Sequence, residues 1–255
     1  MKIASWNVNS LKVRLPQLTE WAAEAKPDVI ALQETKLEDA KFPVDELAAA
    51  GYRAVYSGQK TYNGVAILAR EEPTDVVTDI PRLDDPQRRI LAATVGGVRV
   101  VDLYVVNGKA VGDEKYAYKL DWLAKVRDFL EDELRRHPKL VVLGDFNIAP
   151  DDRDVYDPVA WGGEVLCSPP EREALKAITD LGLHDSFRLF EQEAGHFSWW
   201  DYRQAAFRRN MGLRIDLILI GDALKSAAKA AAIDRTPRRW ERPSDHTPVT
   251  LDLDI

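Results

Sequence analysis

The chain is poor in sulfur and in histidine. One cysteine, Cys167, two methionines and four histidines stand among 255 residues. A lone cysteine closes no internal disulfide, which excludes a disulfide-stapled secreted scaffold and leads us to expect a reducing, cytoplasmic setting. The same shortage, with no histidine pair at ligand spacing, disfavours zinc. No apolar run approaches the roughly 20 residues that a bilayer span needs, so no membrane partner is expected. The first residues, Met1 to Trp6, read as a strand rather than a signal peptide. Positive charge is also in deficit: 42 acidic residues face 35 basic ones, for a net charge of −7. That balance counts weakly against a nucleic-acid partner, unless a divalent cation alters it locally. No repeat, low-complexity tract or linker interrupts the chain. Residues 1–255 therefore read as one domain, with no obligate protein partner evident.

What is present is a series of short apolar runs. Strands are expected over 2–8, 29–32, 52–56, 64–69 and 74–78. The clearest hairpin joins 90–95 to 98–103 through Gly96-Gly97, and its second strand continues toward Tyr104. Further strands follow at 140–143 and 213–220, the latter with Asp216 in its apolar middle. Val249, Leu251, Leu253 and Ile255 alternate as a closing strand. Pro16 is placed to open a helix carrying Leu15, Leu18, Ala22 and Ala25 on one face. A short helix ends at Leu47 to Ala50 before Gly51. A long one spans 115–136, with Leu120, Leu123, Val126, Leu130 and Leu134 as its stripe. Ser168-Pro169-Pro170-Glu171 is a capping box opening a helix over 171–181. Residues 149–168 read as an irregular surface excursion. This mixture makes no regular βαβ repeat. Two mixed sheets packed face to face, with helices outside, fit it better.

Chemistry-bearing residues cluster beside these runs. Asn7, Glu34, Asp145, Asn147, Asp216, Asp245 and His246 come from five separate segments, each next to an apolar stretch. In Gly144-Asp145-Phe146-Asn147 the carboxylate and amide share a side if the chain stays extended, and an Asx turn explains the same pair without any chemistry. Four carboxylates packed together repel and raise one another's pKa. A hard cation relieves that cost, and an all-oxygen set suits Mg²⁺ or Mn²⁺. Adjacent residues in an extended chain point to opposite faces, so Asp245 is not the natural partner of His246; Asp216, charged in the middle of an apolar strand, is the better candidate. The arginines also bunch, as Arg82, Arg88 and Arg89, as Arg203, Arg208, Arg209 and Arg214, and as Arg235, Arg238, Arg239 and Arg242. Each bunch taken singly is ordinary solvated surface. Between residues 196 and 210, however, arginines interleave with Phe197, Trp199, Trp200, Tyr202 and Phe207, a pattern that fits either core packing or nucleic-acid binding.

Seven motifs together resemble the bacterial exonuclease III and abasic-site endonuclease family. They are Ser5-Trp6-Asn7-Val8-Asn9-Ser10, Leu32-Gln33-Glu34-Thr35-Lys36, Gln87-Arg88-Arg89, Gly144-Asp145-Phe146-Asn147-Ile148, the run from Phe197 to Arg203, the run from Gly212 to Leu217, and Ser244-Asp245-His246. They keep the family's order from residue 5 to residue 246. The resemblance implies a four-layer α/β sandwich and a Mg²⁺-dependent DNA-repair phosphodiesterase, with Mn²⁺ as a substitute. Such an enzyme cleaves 5′ to abasic sites in duplex DNA, removes 3′-blocking groups and digests 3′→5′. It implies Glu34 as the main metal ligand with Asn7 and Asp245 beside it, and Asp145, Asn147 and His246 within the metal-binding set. Asp145 becomes the general base, Asn147 a holder of the phosphate, Tyr104 a phosphate contact, and Asp216 the support of His246. Arg88, Phe197, Trp199, Arg203, Arg208 and Arg209 become DNA contacts, and a monomer is expected. Two departures stand out. Position 106 is Val where many relatives carry proline, and position 9 is Asn where the human-type enzymes carry an Asp ligand. The alternatives are a phosphatase of the same superfamily acting on inositol phosphates or sphingomyelin, and a DNA-end-binding protein without catalysis.

Overall fold

The computed structural model describes residues 1–81 and 83–255; Arg82, from the first arginine bunch, lies outside them. In chain order the strands are β1 (Lys2–Asn7), β2 (Val29–Gln33), β3 (Arg53–Ser57), β4 (Val65–Ala69), β5 (Thr74–Val77), β6 (Ile90–Val95), β7 (Val98–Tyr104), β8 (Leu140–Asp145), β9 (Leu183–Asp185), β10 (Asp216–Gly221), β11 (Ala228–Ile233) and β12 (Val249–Leu253). They form two six-stranded sheets, ordered β11-β12-β1-β2-β4-β3 and β5-β6-β7-β8-β10-β9. β1 and β2 run parallel, as do β7 and β8; the remaining pairs are antiparallel. Helices α1 (Leu11–Ala25) and α2 (Val44–Ala49) accompany the first sheet. Helices α3 (Glu114–Arg136) and α5 (Pro169–Thr179) cover the second, with the single turn α4 (Pro158–Trp161) between them in sequence. These are the expected mixed sheets and the four layers of the sandwich.

The central strands are covered on both faces, so their sequences are nearly continuous apolar runs. Period-2 alternation still sorts the side chains. Along β1, Ala4 and Trp6 face α1, while Ile3 faces the opposite sheet. Asn7 continues the inward parity of Ile3. The same count places Asp145 after Val141 and Leu143 on β8, Tyr104 after Val98 and Val100 on β7, and Asp216 before Ile218 and Ile220 on β10. Four polar side chains thus point into the gap between the sheets, all at one end of it.

Several expectations change. Helix α1 begins at Leu11, well before Pro16. Ser10 and Leu11 donate their N–H groups to the carbonyls of Glu34 (2.8 Å) and Thr35 (3.1 Å), so the loop after β2 caps the helix. Pro16 then lies within the helix on its exposed side, where water can serve the Lys12 carbonyl that proline cannot. Strand β8 runs through Gly144, which has φ +142 and where a Cβ would stand 1.9 Å from the Leu103 carbonyl oxygen; only glycine fits. Asp216 opens β10 rather than sitting in its middle. Residues 149–168 are no mere surface excursion: Ala149, Val155, Leu166 and Cys167 build a small core with Leu213 and Ile215. Ile255 lies beyond β12 and is half exposed. β9 and the alanine-rich β11 were not anticipated, because neither has the apolar alternation that marks the other strands. At Gly96 and Gly97 both φ angles are positive, as a two-residue hairpin of this twist requires.

Candidate active site

The end of the inter-sheet gap collects the polar residues of five segments. The Asn7 amide donates to Glu34 Oε1 and to Asp145 Oδ2, both at 2.9 Å, and so bridges two carboxylates. Its own backbone is held by Ser244, whose hydroxyl donates to the Asn7 carbonyl at 2.7 Å. Asp216 and Asp145 are direct partners in the β8–β10 register. His246 Nδ1 meets Asp216 Oδ2 at 2.9 Å and Oδ1 at 3.1 Å, the partner expected from the charge of Asp216 beside an apolar run. Its Nε2 faces Asp145 Oδ2 across 3.7 Å. Ser198 Oγ accepts from the N–H groups of Ile215 and Asp216, which fixes the entry into β10. Asn7, Asp145, Asn147, Asp216 and His246 are all buried.

The backbone here is bent into uncommon conformations. Glu34 has φ 53 and Asn147 φ 49, left-handed values that cost a non-glycine residue roughly 1–2 kcal/mol. The turn at Asn147 means Asp145 and Asn147 are not side by side on an extended chain. Asn147 donates its N–H to Asp145 Oδ1 at 3.0 Å, an Asx turn, and its amide reaches Val105 O at 2.9 Å. The Asx-turn reading and the site reading therefore describe the same residues. Asn107 donates to Asn147 Oδ1 at 3.2 Å.

Burial pushes the Asp145 carboxyl up to about 7 against the pull of His246, with the charges of Asp216 and Glu34 adding to the rise. Burial alone would lower His246, but Asp216 and Asp145 push it up to about 10. With Nδ1 held by Asp216, Nε2 is the ring nitrogen that faces Asp145 and the open end of the gap. Burial and the Glu34 charge hold the Tyr104 hydroxyl well above its ordinary value, with Arg89 opposing and Asp145 adding. The Arg89 guanidinium lies 4.6 Å from the centre of that ring.

Ligand atoms of Glu34, Asp145 and His246 all lie within 4.8 Å of one another. Asp245 is otherwise engaged: Asn9 Nδ2 and Trp199 Nε1 each donate to its carboxylate at 3.0 Å. Trp199 is brought there by bridges to Leu213 and His246. It also walls a cavity of about 300 Å³ with Tyr156, Trp161, Asp201, Arg203 and Met211. Phe197 does not reach that cavity; it is buried with Trp200 and Ala206. Arg203 is folded onto Asp201 at 2.7 Å. Arg208 and Arg209 are exposed, and Arg88 makes a loose 3.5 Å pair with Asp79. Arg214 belongs to none of this surface, being buried between Asp154 and Asp185.

Sequence reasoning missed three supports. Lys36 places its ammonium 3.1 Å from Glu34 Oε2 and donates to Asn9 Oδ1. Lys119 on α3 donates to the carbonyls of Asn147 (2.7 Å) and Asn107 (3.1 Å) and pairs with Glu171. Glu171 in turn anchors the backbone N–H groups of Leu166 and Ser168. Lys119 and Glu171 are fully buried. The signal for Lys119 was its position: a lysine within the helical stripe between Tyr116 and Leu123, where an apolar residue is the norm.

The model of the endonuclease/exonuclease/phosphatase family matches residues 4–246. Exodeoxyribonuclease III of Haemophilus influenzae is 36% identical over 98% of each chain. Among solved structures, a 3′ phosphatase, NExo, from Neisseria, bound to a product DNA hairpin, shares 51% identity with a TM-score of 0.98, covering all of both chains. An AP endonuclease from Archaeoglobus fulgidus shares 36% identity with a TM-score of 0.96, again over both full chains.

Proposed function

The chain belongs to the endonuclease/exonuclease/phosphatase family, and on that premise we propose that it is a Mg²⁺-dependent DNA-repair phosphodiesterase. It cleaves duplex DNA 5′ to abasic sites, removes 3′-blocking groups and trims 3′ ends, and residues 1–255 act as one domain. The observation that carries this reading is the charge left over at the site. Glu34, Asp145 and Asp216 converge there with Asn7 between the first two, and among the described residues His246 and Lys36 are the cations paired directly with them. An oxygen-rich set of this kind suits Mg²⁺, with Mn²⁺ as a substitute. Glu34, Asn7 and Asp145 would hold the ion, with Asp245 nearby, and an ion held there would supply Lewis-acid polarisation of a phosphoryl oxygen.

The protein's own groups supply the rest. Asp145 takes a proton from the attacking water. The water oxygen bonds to phosphorus as the P–O bond to the leaving 3′ oxygen breaks, and that oxygen takes a proton from solvent water to leave as a hydroxyl. His246, kept charged by Asp216, donates from Nε2 to a non-bridging oxygen. Asn147 and Asn107 hold the phosphate, and Tyr104, kept protonated, donates a further hydrogen bond. The Trp199 cavity takes the sugar of the damaged or terminal nucleotide, and Arg88, Arg203, Arg208 and Arg209 meet backbone phosphates.

A duplex oligonucleotide with one internal abasic analogue, labelled at its 5′ end, tests this with Mg²⁺ or EDTA and with Asp145→Asn. A single cut at the lesion, lost with EDTA and in the variant, is the expected result. Shortening only from the 3′ end would restrict the enzyme to end processing. No cleavage of DNA would overturn the reading in favour of another phosphoester.

A further inference from the structure

Most described arginines of this acidic chain are neutralised by a carboxylate. One group is not. Among the described residues, Arg208, Arg209, Arg235, Arg238, Arg239 and Arg242 make no ion pair. They come from two segments far apart in sequence and joined in space by shared aromatic rings. The Arg235 guanidinium lies 5.1 Å from the Phe207 ring centre and 5.2 Å from that of Trp200. Arg238 lies 5.1 Å from Phe207 and 5.3 Å from Tyr202. Arg208 and Arg209 follow Phe207 directly, and Arg239 and Arg242 are exposed beside Arg238.

Holding so many like charges together without counter-ions is costly. The cost registers at Arg235, which burial and the nearby Arg239 hold below the ordinary arginine value. The aromatic faces steady the inner two guanidinium groups, while Arg238 also donates to the Trp200 carbonyl at 3.2 Å. The patch adjoins the catalytic end of the molecule. Trp200 N–H donates to the Asp245 carbonyl, and the Tyr202 hydroxyl accepts from Asn9, which itself holds Asp245.

We propose that this aromatic-backed arginine patch is a phosphate track that carries the DNA duplex away from the active site, with Arg239 and Arg242 as its outer contacts. This inference rests on the DNA-repair reading above and extends it to residues outside the catalytic cluster. Its chemistry is sequence-independent: guanidinium groups meet backbone phosphates and displace counter-ions.

The test is equilibrium binding of a labelled duplex to the full chain carrying Asp145→Asn, followed by fluorescence anisotropy across a salt series. Arg239→Gln with Arg242→Gln is added in one protein. Arg135→Gln with Lys139→Gln is added in another, which makes the same change in net charge at the opposite end of the sheets. Two lost phosphate contacts reduce the slope of log K against log salt by about 1.8, with weaker binding at low salt, and the control pair leaves the slope unchanged. Equal slopes in all three proteins, or equal losses in both charge variants, would overturn the track. A chain that binds no duplex before either pair is changed would sink the DNA reading itself, and the track with it.

Discussion

Arg214 and Asp216 stand two residues apart, yet they enter opposite kinds of charged cluster. Arg214 donates to Asp154 Oδ1 and to Asp185 Oδ2, both at 2.6 Å, and Arg188 adds a second guanidinium on Asp154. There each carboxylate is met by an arginine with directed hydrogen bonds. Around Asp216 the balance is reversed. Its neighbours Asp145 and Glu34 are held by an amide, a histidine and one lysine. The first cluster is self-contained and joins the small core of residues 149–168 to β9 and β10. The second has more carboxylates than directly paired cations, the imbalance on which the proposed cation site rests.

Removing members of the two clusters should therefore have different consequences. The largest effect is expected for Asp145→Asn, which leaves the fold intact and removes the base. Cleavage should fall by about 10²–10⁴-fold, measured on the abasic duplex, with the melting temperature preserved or raised because an ill-solvated carboxylate is gone. In the paired cluster, Arg214→Leu should cost about 3–5 kcal/mol of stability by leaving buried acids uncompensated, read by urea denaturation, while the folded fraction still cleaves. If Arg214→Leu lost turnover at unchanged stability, the distinction between the clusters would fail.

Lys119 lies between these extremes, since it is paired like Arg214 but touches the site. Lys119→Met should lower stability, and Lys119→Met with Glu171→Gln should recover part of it by removing the stranded charge. Turnover should remain down roughly 10- to 100-fold in both, because the loops bearing Asn107 and Asn147 lose the group that spaces them. Recovery of turnover along with stability would make Lys119 a structural residue only.

The smallest effect concerns pH. Asp145 rises from 3.8 to about 7 on folding, so the metal-free fold binds that proton more tightly than the unfolded chain does, and stability declines as pH climbs through this window. His246, raised from 6.5 to about 10, contributes stability that is full below the lower value and lost through the upper one. Both terms make the metal-free protein less stable in alkali. Mg²⁺ competes with the proton at Asp145, so its stabilisation should be larger at about pH 8 than at about pH 5, reaching about 2.7 kcal/mol at 100 times its Kd. Thermal melts with and without Mg²⁺ measure it. An equal shift at both pH values would remove Asp145 from the cation's ligands.

The unpaired cluster was far more legible in the sequence than the paired one. Asn7, Glu34, Asp145, Asp216 and His246 announce themselves because each adjoins an apolar strand, where a polar side chain needs a reason. Alternation set Asp245 aside as the partner of His246, and the charge of Asp216 beside an apolar run pointed to it instead. Asp154 and Asp185 carry no such mark, since they lie in a single 3₁₀ turn and in a short strand without apolar alternation. Arg214 was grouped with surface arginines because guanidinium burial depends on partners distant in sequence. Phe197 was expected on DNA and is core, since an aromatic residue looks the same in either role until its neighbours are known.

By itself the sequence determined the inward and outward faces of the strands, the hairpin at Gly96-Gly97, the capping box at Ser168, and the inventory of acids at strand ends. All of these follow from local geometry with periods of two or 3.6 residues. Tertiary structure alone decided that β1, β2, β7, β8 and β10 present those acids at one end of a shared gap. It bent Glu34 and Asn147 into left-handed backbone, ran α1 back to Leu11, and set Lys119 under two asparagine loops. It also chose which carboxylates would find an arginine and which would be left for a cation. Those outcomes depend on groups tens to hundreds of residues apart, whose electrostatic and packing energies do not exist until the chain has closed around them.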